Sequence, residues 1–409
     1  MNVLSLFDGM SCGQIALKQL GIIPEVYYAS EVDKHAIKQT QLNFPNTIQL
    51  GDVTRVDVSQ LEPIDLLIGG SPCQSFSFAG KRVGMSTTDK EEIYTLNRYL
   101  ELKEEGFQFE GQSYLFWEYM RILNDIRKYN PDVKFLLENV EMGNKWERVL
   151  SEAIGVFGVH INSALVSAQN RKRIYWTNIR TKEVGLFGEI HADIPQPEDK
   201  GILLRDILES EVDEKYYLSD KIINTLSTRS KEYKFNVLPF DGDKKSGCLR
   251  KDIAKMGTTD TLTSVRKDNL VMQINPSLES GGKQPYQHNR VYNTDGISLC
   301  LSTDARSPTI VVGCDYRSDE GLRYRANSKS GTLQARARND ESCGQLASVD
   351  SRIRRLTPTE CARLQTVPDW YKWECSDTQQ YRMLGNGWTV DVIVHILSFI
   401  KEKLNINVA

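Results

Sequence analysis

The chain has 409 residues, 40% of them hydrophobic and 26% charged, with a formal net charge of -3. This is the composition of a globular protein long enough for two domains, and its slightly acidic balance excludes a nucleic-acid surface built on bulk charge; any such footprint must be local. Eight cysteines without a close CxxC pair argue against a zinc centre or a disulfide framework.

The apolar stretch Val392 to Ile400 is interrupted by His395 and falls far short of the ~20 residues of a spanning helix. With no basic leader before Val3, the expectation is a cytoplasmic protein that holds no metal. Residues 1–180 alternate short apolar runs with helical patterns. That alternation predicts an α/β fold: a Rossmann-like, mostly parallel sheet with helices on both faces. The predicted strands are Val3 to Leu6, Val26 to Ala29, Ile48 to Leu50, Asp65 to Ile68, Lys134 to Leu137, Asn162 to Val166 and Ile174 to Thr177.

Directly after the first strand, Phe7-Asp8-Gly9-Met10-Ser11-Cys12-Gly13 opens a helix containing Ile15 and Leu20. Gly9 permits a tight turn and a close backbone approach, although the full dinucleotide fingerprint is missing. Glu31 ends the second strand, where an acid grips ribose hydroxyls in folds of this kind. The fourth strand runs into Gly69-Gly70-Ser71-Pro72-Cys73-Gln74-Ser75-Phe76-Ser77. A cysteine just past a strand end, after a proline that stiffens the turn, is poorly placed for packing and well placed for nucleophilic chemistry, because open α/β sheets carry their sites at the carboxyl ends of strands.

Residues 74–112 form a long excursion of the kind that closes over substrates as a lid. Its first part holds Lys81 and Arg82, candidate phosphate contacts, and its second half is acidic (Glu101, Glu104, Glu105, Glu110). Phe116, Tyr119, Leu123 and Ile126 follow with amphipathic helical spacing. Leu137-Glu138-Asn139-Val140 and Gln169-Asn170-Arg171-Lys172-Arg173 then set a carboxylate and two guanidinium groups beside further apolar runs. A thiol, a carboxylate and a guanidinium pair on one sheet edge are what attack on C6 of a cytosine ring requires.

Between residues 181 and 350 helical periodicity gives way to Gly, Ser, Thr and Asn, and a weak repeat sets an arginine shortly after each of three strand-like segments, at Arg266, Arg306 and Arg336. This predicts a smaller, irregular, β-rich domain inserted before the C-terminal helices. Arg323, Arg325, Lys329, Arg336 and Arg338 occur there with no acid among residues 321–339 and with Tyr324 available for stacking. They are the candidate DNA-binding residues. At Thr357-Pro358-Thr359-Glu360 a capping box restarts helix. Segment 351–409, closing in a helix from Val390 to Leu404, completes the catalytic domain begun by residues 1–180.

As an ordered set these blocks resemble the DNA (cytosine-5)-methyltransferases. The matching stretches are Leu4 to Gly13, Glu31, Gly51-Asp52-Val53, Gly70 to Ser77, Leu115 to Leu123, Phe135 to Val140, Ser167 to Trp176 and Leu384 to Val390. Leu4-Ser5-Leu6-Phe7-Asp8-Gly9, Ala29-Ser30-Glu31-Val32 and Leu115-Phe116-Trp117-Glu118 look most like the animal de novo methyltransferases and the phage or prophage enzymes of that branch. The chain is too short for the chromatin-reading modules of the animal proteins, which favours the phage or bacterial form.

The resemblance implies S-adenosyl-L-methionine as cofactor and double-stranded DNA as substrate, with methyl transfer to C5 of a flipped-out cytosine in a specific sequence. The resemblance of the whole set of blocks also implies that the inserted β-rich domain is a target-recognition domain. It makes Cys73 the nucleophile at C6 and Glu138 the group that shares a proton with N3, a role that asks for a desolvated carboxyl. Arg173 becomes the donor to O2, and Arg171 a support for the catalytic loop or a phosphate. On the cofactor it implies Phe7 stacked on the adenine, Asp52 at the adenine amino group, the backbone near Val53 at a ring nitrogen, and Asn386 and Trp388 over the amino-acid end. Asp8, Gly9, Gly13, Pro72 and Leu115 fall inside the matching blocks and join this set. Val32 departs from the pattern, since many relatives carry an aromatic residue there; it covers one adenine face with an aliphatic side chain. The implied setting is a bacterial host cell, with a cognate restriction endonuclease as candidate partner. Transfer to tRNA is the alternative, since one branch of the family acts on RNA. A catalytically dead DNA-binding homologue is a third reading, against which the presence of both Cys73 and Glu138 argues.

Overall fold

The computed structural model describes residues 1–72, 85–87, 89–217, 298–299, 304–306, 309–310, 314–317, 321–324, 334–335, 347–349 and 352–404. The chain divides into two compact units, one of Met1–Ser167, Arg171–Gly201 and Ala362–Ala409, the other of Ala168–Asn170 and Ile202–Cys361.

The first unit is built on seven strands: β1 (Asn2–Leu6), β2 (Val26–Ser30), β3 (Ile48–Gln49), β4 (Leu66–Gly70), β5 (Lys134–Val140), β6 (Val159–Asn162) and β7 (Lys172–Thr177). They lie in the order β3-β2-β1-β4-β5-β7-β6. All neighbours from β3 to β5 are parallel, whereas β7 runs antiparallel to both β5 and β6. The central strands are mostly apolar because a sheet covered on both faces buries most of its side chains; Val3, Leu4 and Leu6 of β1 and Leu66, Leu67 and Ile68 of β4 have no exposed surface.

The helices are α1 (Cys12–Gln19), α2 (Lys34–Asn43), α3 (Leu96–Glu104), α4 (Phe116–Tyr129), α5 (Asn144–Ile154), α6 (Pro358–Leu364), α7 (Asp377–Asn386) and α8 (Val390–Leu404). From β1 the chain steps one way across the sheet to β2, and from β4 it steps the other way to β5. Right-handed crossovers therefore put α1 and α4 on opposite faces and open a crevice at the carboxyl ends of β1 and β4. Among the described residues no single helix is long and apolar enough to cross a membrane.

Three boundaries differ from the sequence reading, each for a local reason. The strand expected at Asn162 to Val166 instead ends at Asn162, whose side chain accepts the Ala164 N–H at 3.1 Å and caps a 3-10 turn, Ser163–Leu165. β4 continues through Gly70 and β5 through Val140, paired residue by residue, so Glu138 and Asn139 lie inside a strand. The excursion after Cys73 is not a lid along its whole length. Residues Ser86–Thr87 pair with Phe109–Glu110, α3 follows the hairpin's first strand, and Met85, Ile93, Tyr99 and Leu102 are buried in the main core. The part that holds Lys81 and Arg82 lies outside the described residues.

The described residues of the second unit include several short paired strands. Gln169–Asn170 runs parallel with Ser298–Leu299, and Asp304–Arg306 antiparallel with Gln334–Ala335. Cys314–Arg317 and Gly321–Tyr324 form a hairpin, while Thr309–Ile310, Arg352–Arg355 and Ala347–Val349 form three antiparallel strands. At its end the expected capping box is present: Thr357 Oγ1 accepts the Glu360 N–H at 3.1 Å and Glu360 Oε2 accepts the Thr357 N–H at 2.9 Å.

Candidate active site

The loop after β1 adopts a conformation that few side chains tolerate. Phe7, Gly9 and Ser11 have φ of 59°, 57° and 64°, and strain of this kind in non-glycine residues collects at ligand sites. It is held by named contacts: the Gly9 N–H donates to Glu31 Oε2 at 2.8 Å, and the Tyr371 hydroxyl donates to the Met10 carbonyl at 2.8 Å. Glu31, just past β2, also accepts the Val32 and Asp33 N–H groups on Oε1. A Cβ added at Gly9 would meet nothing within 4 Å, so the space beside it is open. Gly13 is the opposite case, since a Cβ there would lie 2.2 Å from Ile68 Cδ1; the glycine lets α1 settle on β4.

Asp8 is buried. Its Oδ1 accepts the Tyr27 hydroxyl at 3.0 Å, while Oδ2 has no partner among the described residues. Burial pushes its carboxyl up to about 6, offset in part by the hydroxyls of Ser5, Ser11 and Tyr27. Val32, next to Glu31 in the chain, stands 72% exposed. After β3, Asp52 caps the turn Val53–Arg55 through the Thr54 N–H at 2.9 Å. An orphaned carboxylate oxygen, a second carboxylate fixed by three amides, open space at Gly9 and a projecting aliphatic side chain fit a ligand with an ammonium, ribose hydroxyls and a flat apolar ring.

The other half of the site lies at the ends of β4, β5 and β7. Arg173 Nε and Glu138 Oε1 are 2.8 Å apart, on strands that pair antiparallel. Asn139 donates from Nδ2 to the Ser71 carbonyl at 3.2 Å and to Ser71 Oγ at 3.0 Å, anchoring Ser71 just past the end of β4. A Cβ at Gly70 would fall 2.9 Å from Trp388 Nε1 and 3.2 Å from Glu138 Oε2. Trp388 and Glu138 thus converge on the glycine two residues before Pro72. Arg171 is buried, and its guanidinium donates to the carbonyls of Gly385 at 3.3 Å and Gly387 at 2.8 Å. Its contacts here are with the turn that presents Asn386 and Trp388.

Phe7, Asp8, Gly9, Gly13, Glu31, Val32, Asp52, Val53, Pro72, Leu115, Glu138, Arg171, Arg173, Asn386 and Trp388 all belong to the first unit, at strand ends or on the helices and loops next to them. Cys73, Lys81, Arg82, Arg325, Lys329, Arg336 and Arg338 lie outside the described residues; Arg323 sits in the Gly321–Tyr324 strand of the second unit. Sequence reasoning missed Gln365. This buried side chain donates to the carbonyls of Leu384 at 2.6 Å and Gly387 at 3.1 Å and accepts the Thr389 hydroxyl at 2.9 Å. It also missed Tyr27 and Tyr371. Their only sequence signal was a polar group at a core-facing position. Among the described residues no group of three or more His, Cys, Asp or Glu residues could hold a metal ion.

Comparison with known proteins gives the same assignment from another direction. The model of the family described as C-5 cytosine-specific DNA methylase matches residues 1–402. The orphan methyltransferase M.SPRI of Bacillus phage SPR is 27% identical, over 97% of this chain and 96% of the relative. The type II methyltransferase M.BanI of Aneurinibacillus aneurinilyticus is 25% identical, over 100% and 97%. The crystal structure of the S. pombe Dnmt2 methyltransferase shares the fold, with a TM-score of 0.54, 15% identity and 99% of each chain covered.

Proposed function

This chain belongs to the C-5 cytosine-specific DNA methylase family, and on that premise we propose that it methylates C5 of a cytosine flipped out of a specific double-stranded DNA sequence, through a transient bond between Cys73 and C6. The observation that carries this reading is the Glu138–Arg173 pair, a carboxylate and a guanidinium held together beside the strand that leads into Pro72 and Cys73. Cys73 attacks as the thiolate, which needs a lowered pKa because a free thiol near ~8.5 is mostly protonated at neutral pH. Its electron pair forms the C6–S bond, and the C5–C6 π pair becomes nucleophilic at C5. Glu138 shares a proton with N3 and Arg173 donates to O2, dispersing the charge that develops on the ring. Once C5 carries the new methyl group it gives up its proton to a base, the double bond re-forms, and the thiolate leaves.

S-adenosyl-L-methionine supplies the methyl group when bound. The residues that would hold it are Asp8 and the turn of Asn386 and Trp388 at its amino-acid end, Glu31 at the ribose, and Phe7, Val32, Asp52, Val53, Pro72 and Leu115 around the adenine. Gly9 and Gly13 allow the backbone to approach. The target carbon is inaccessible within a stacked duplex, so the nucleotide must leave the helix. We assign Lys81 and Arg82 to phosphates near the flipped base, and sequence reading to the second unit, with Arg323, Arg325, Lys329, Arg336 and Arg338 as its basic contacts. The acting site is the cytoplasm of a bacterial cell, in keeping with phage and bacterial relatives.

The test is a duplex carrying 5-fluorocytosine at a methylatable position. Fluorine cannot leave C5 as the proton does, so the wild-type protein should be trapped in a covalent adduct and Cys73→Ser should not. Turnover on duplex DNA with no adduct would remove Cys73 from the mechanism, and turnover on tRNA alone would replace the substrate.

A further inference from the structure

Residues 85–112 have no part in the chemistry described above, yet they are built into the same core. α3 lies against α4, where Tyr99 donates its hydroxyl to Glu118 Oε1 at 2.6 Å and Lys103 Nζ reaches the same oxygen. Glu118 is 0% exposed. A buried carboxylate must be fully paired to be tolerated, and its second oxygen accepts from Arg121 Nε at 2.7 Å.

Arg121 does not stop there. Its remaining nitrogens donate to the Val56 carbonyl at 3.1 Å, to the Val53 carbonyl at 3.3 Å and, from Nη1, to Asp125 Oδ2 at 3.3 Å. These two carbonyls flank the turn that Asp52 caps. A second line of contact runs through aromatic rings. Phe109 stacks on Tyr114 at 4.5 Å and packs on Tyr99 at 5.1 Å. Tyr114 sits close enough to Asp52 for that carboxylate to help raise its phenol, after the larger effect of burial. The excursion is also pinned on its other side, by Lys145 to Glu92 at 2.6 Å and by Tyr94 stacked on Trp146 at 5.6 Å.

We propose that Tyr99 and Lys103 are positioning residues for the cofactor: through Glu118 and Arg121 they set the Asp52–Arg55 turn and so set affinity and selectivity for the adenine base. The proposal rests on the reading that Asp52 meets the adenine amino group. Arg121 is the coupling element because one planar guanidinium spans both partners in fixed geometry. Removing a donor from Glu118 strengthens its hold on Arg121, whose fork then turns away from the two carbonyls.

The experiment measures the affinity of the full-length protein for S-adenosylhomocysteine and for S-inosylhomocysteine, in which a 6-oxo group replaces the 6-amino group. Wild type should prefer the adenine form, and Asp52→Ala should lose that preference. Tyr99→Phe should weaken S-adenosylhomocysteine binding by about five- to tenfold and shrink the preference in proportion. It should raise KM for S-adenosylmethionine more than it lowers kcat. Lys103→Met, at a side chain 36% exposed, should keep the fold and show the same direction with a smaller size. If Asp52→Ala loses the preference while Tyr99→Phe and Lys103→Met keep it, the coupling is overturned and the cofactor reading stands. If Asp52→Ala keeps it, both fall. A lower melting temperature with unchanged preference makes Tyr99 a structural residue only and overturns the proposal.

Discussion

Arg173 and Glu138 form an ion pair at 2.8 Å, with only 11% and 10% of their side chains exposed. Each therefore depends on the other for charge compensation, and the two variants that break the pair should behave differently. Glu138→Gln removes the counter-charge of Arg173 but keeps an oxygen that accepts from it, so it should lose less stability than Arg173→Ala. Its single-turnover methyl transfer should fall by at least about a hundredfold, the scale of a lost acid–base group. Arg173→Ala leaves a buried carboxylate without its cation, which costs about 3–5 kcal/mol, and should lose stability as well as rate. Thermal melts and single-turnover rates measured together check both. A Glu138→Gln enzyme at wild-type rate would make the pair a structural one.

Gly70 predicts a second separation. Any Cβ there must displace both Trp388 Nε1 and Glu138 Oε2, one assigned to the cofactor and one to the base. Gly70→Ala should therefore lower kcat/KM by between about ten- and a hundredfold, the price of sub-ångström misplacement, with a modest change in melting temperature. Stopped-time methylation assays at varied cofactor concentration would show kcat and KM moving together. A change in KM alone would leave Glu138 undisturbed and break the link.

The strand-end residues of this site were legible because chemistry demands particular residue types at particular turns. Glu31 after β2 and the Gly69-Gly70-Ser71-Pro72 run at the end of β4 could be placed without coordinates. The pairs that hold them could not. Glu118 and Arg121 look in sequence like any i, i+3 charge pair on a solvated helix face, and only the packing of α3 shows that the carboxylate is buried. Asn139 bonds Ser71 across 68 positions, and Tyr371 bonds Met10 across 361; no periodicity reports contacts of that range. The excursion reads as a lid because it is long, whereas its few buried side chains are too widely spaced to make a pattern.

Gln365 supports the turn between α7 and α8 from beneath. Gln365→Leu would fill the space but strand the Leu384 carbonyl and take away the acceptor of the Thr389 hydroxyl, which still accepts from Ser163 Oγ at 2.8 Å. At about 1–3 kcal/mol for a buried group left unpaired, the protein should lose at least about 1 kcal/mol in urea titrations. Because Gly387 is also held by Arg171, the turn should persist. Affinity for S-adenosylhomocysteine should fall through looser placement of Asn386 and Trp388. An unchanged urea midpoint would mean that water reaches these groups.

Asp8 makes stability and cofactor binding oppose each other as a function of pH. In the folded protein its carboxyl titrates at about 6, against 3.8 ordinarily, chiefly because burial disfavours the charge. Below the lower value both states hold the proton and the fold bears no penalty. As pH rises the unfolded chain ionises first, so stability falls, and the loss is complete once the folded group ionises near 6. Above that the penalty is on the order of 3 kcal/mol. Asp8→Asn removes the charge and keeps an acceptor for the Tyr27 hydroxyl. It should come closest to wild type near pH 3, below both values, and exceed it in stability at pH 8. A ligand ammonium beside the unpartnered Oδ2 would relieve the same penalty, so S-adenosylhomocysteine should raise the melting temperature of wild type at pH 8 more than that of Asp8→Asn. Melts of both proteins at the two pH values, with and without S-adenosylhomocysteine, decide the matter. Equal ligand-induced shifts at pH 8 would place the ammonium away from Asp8.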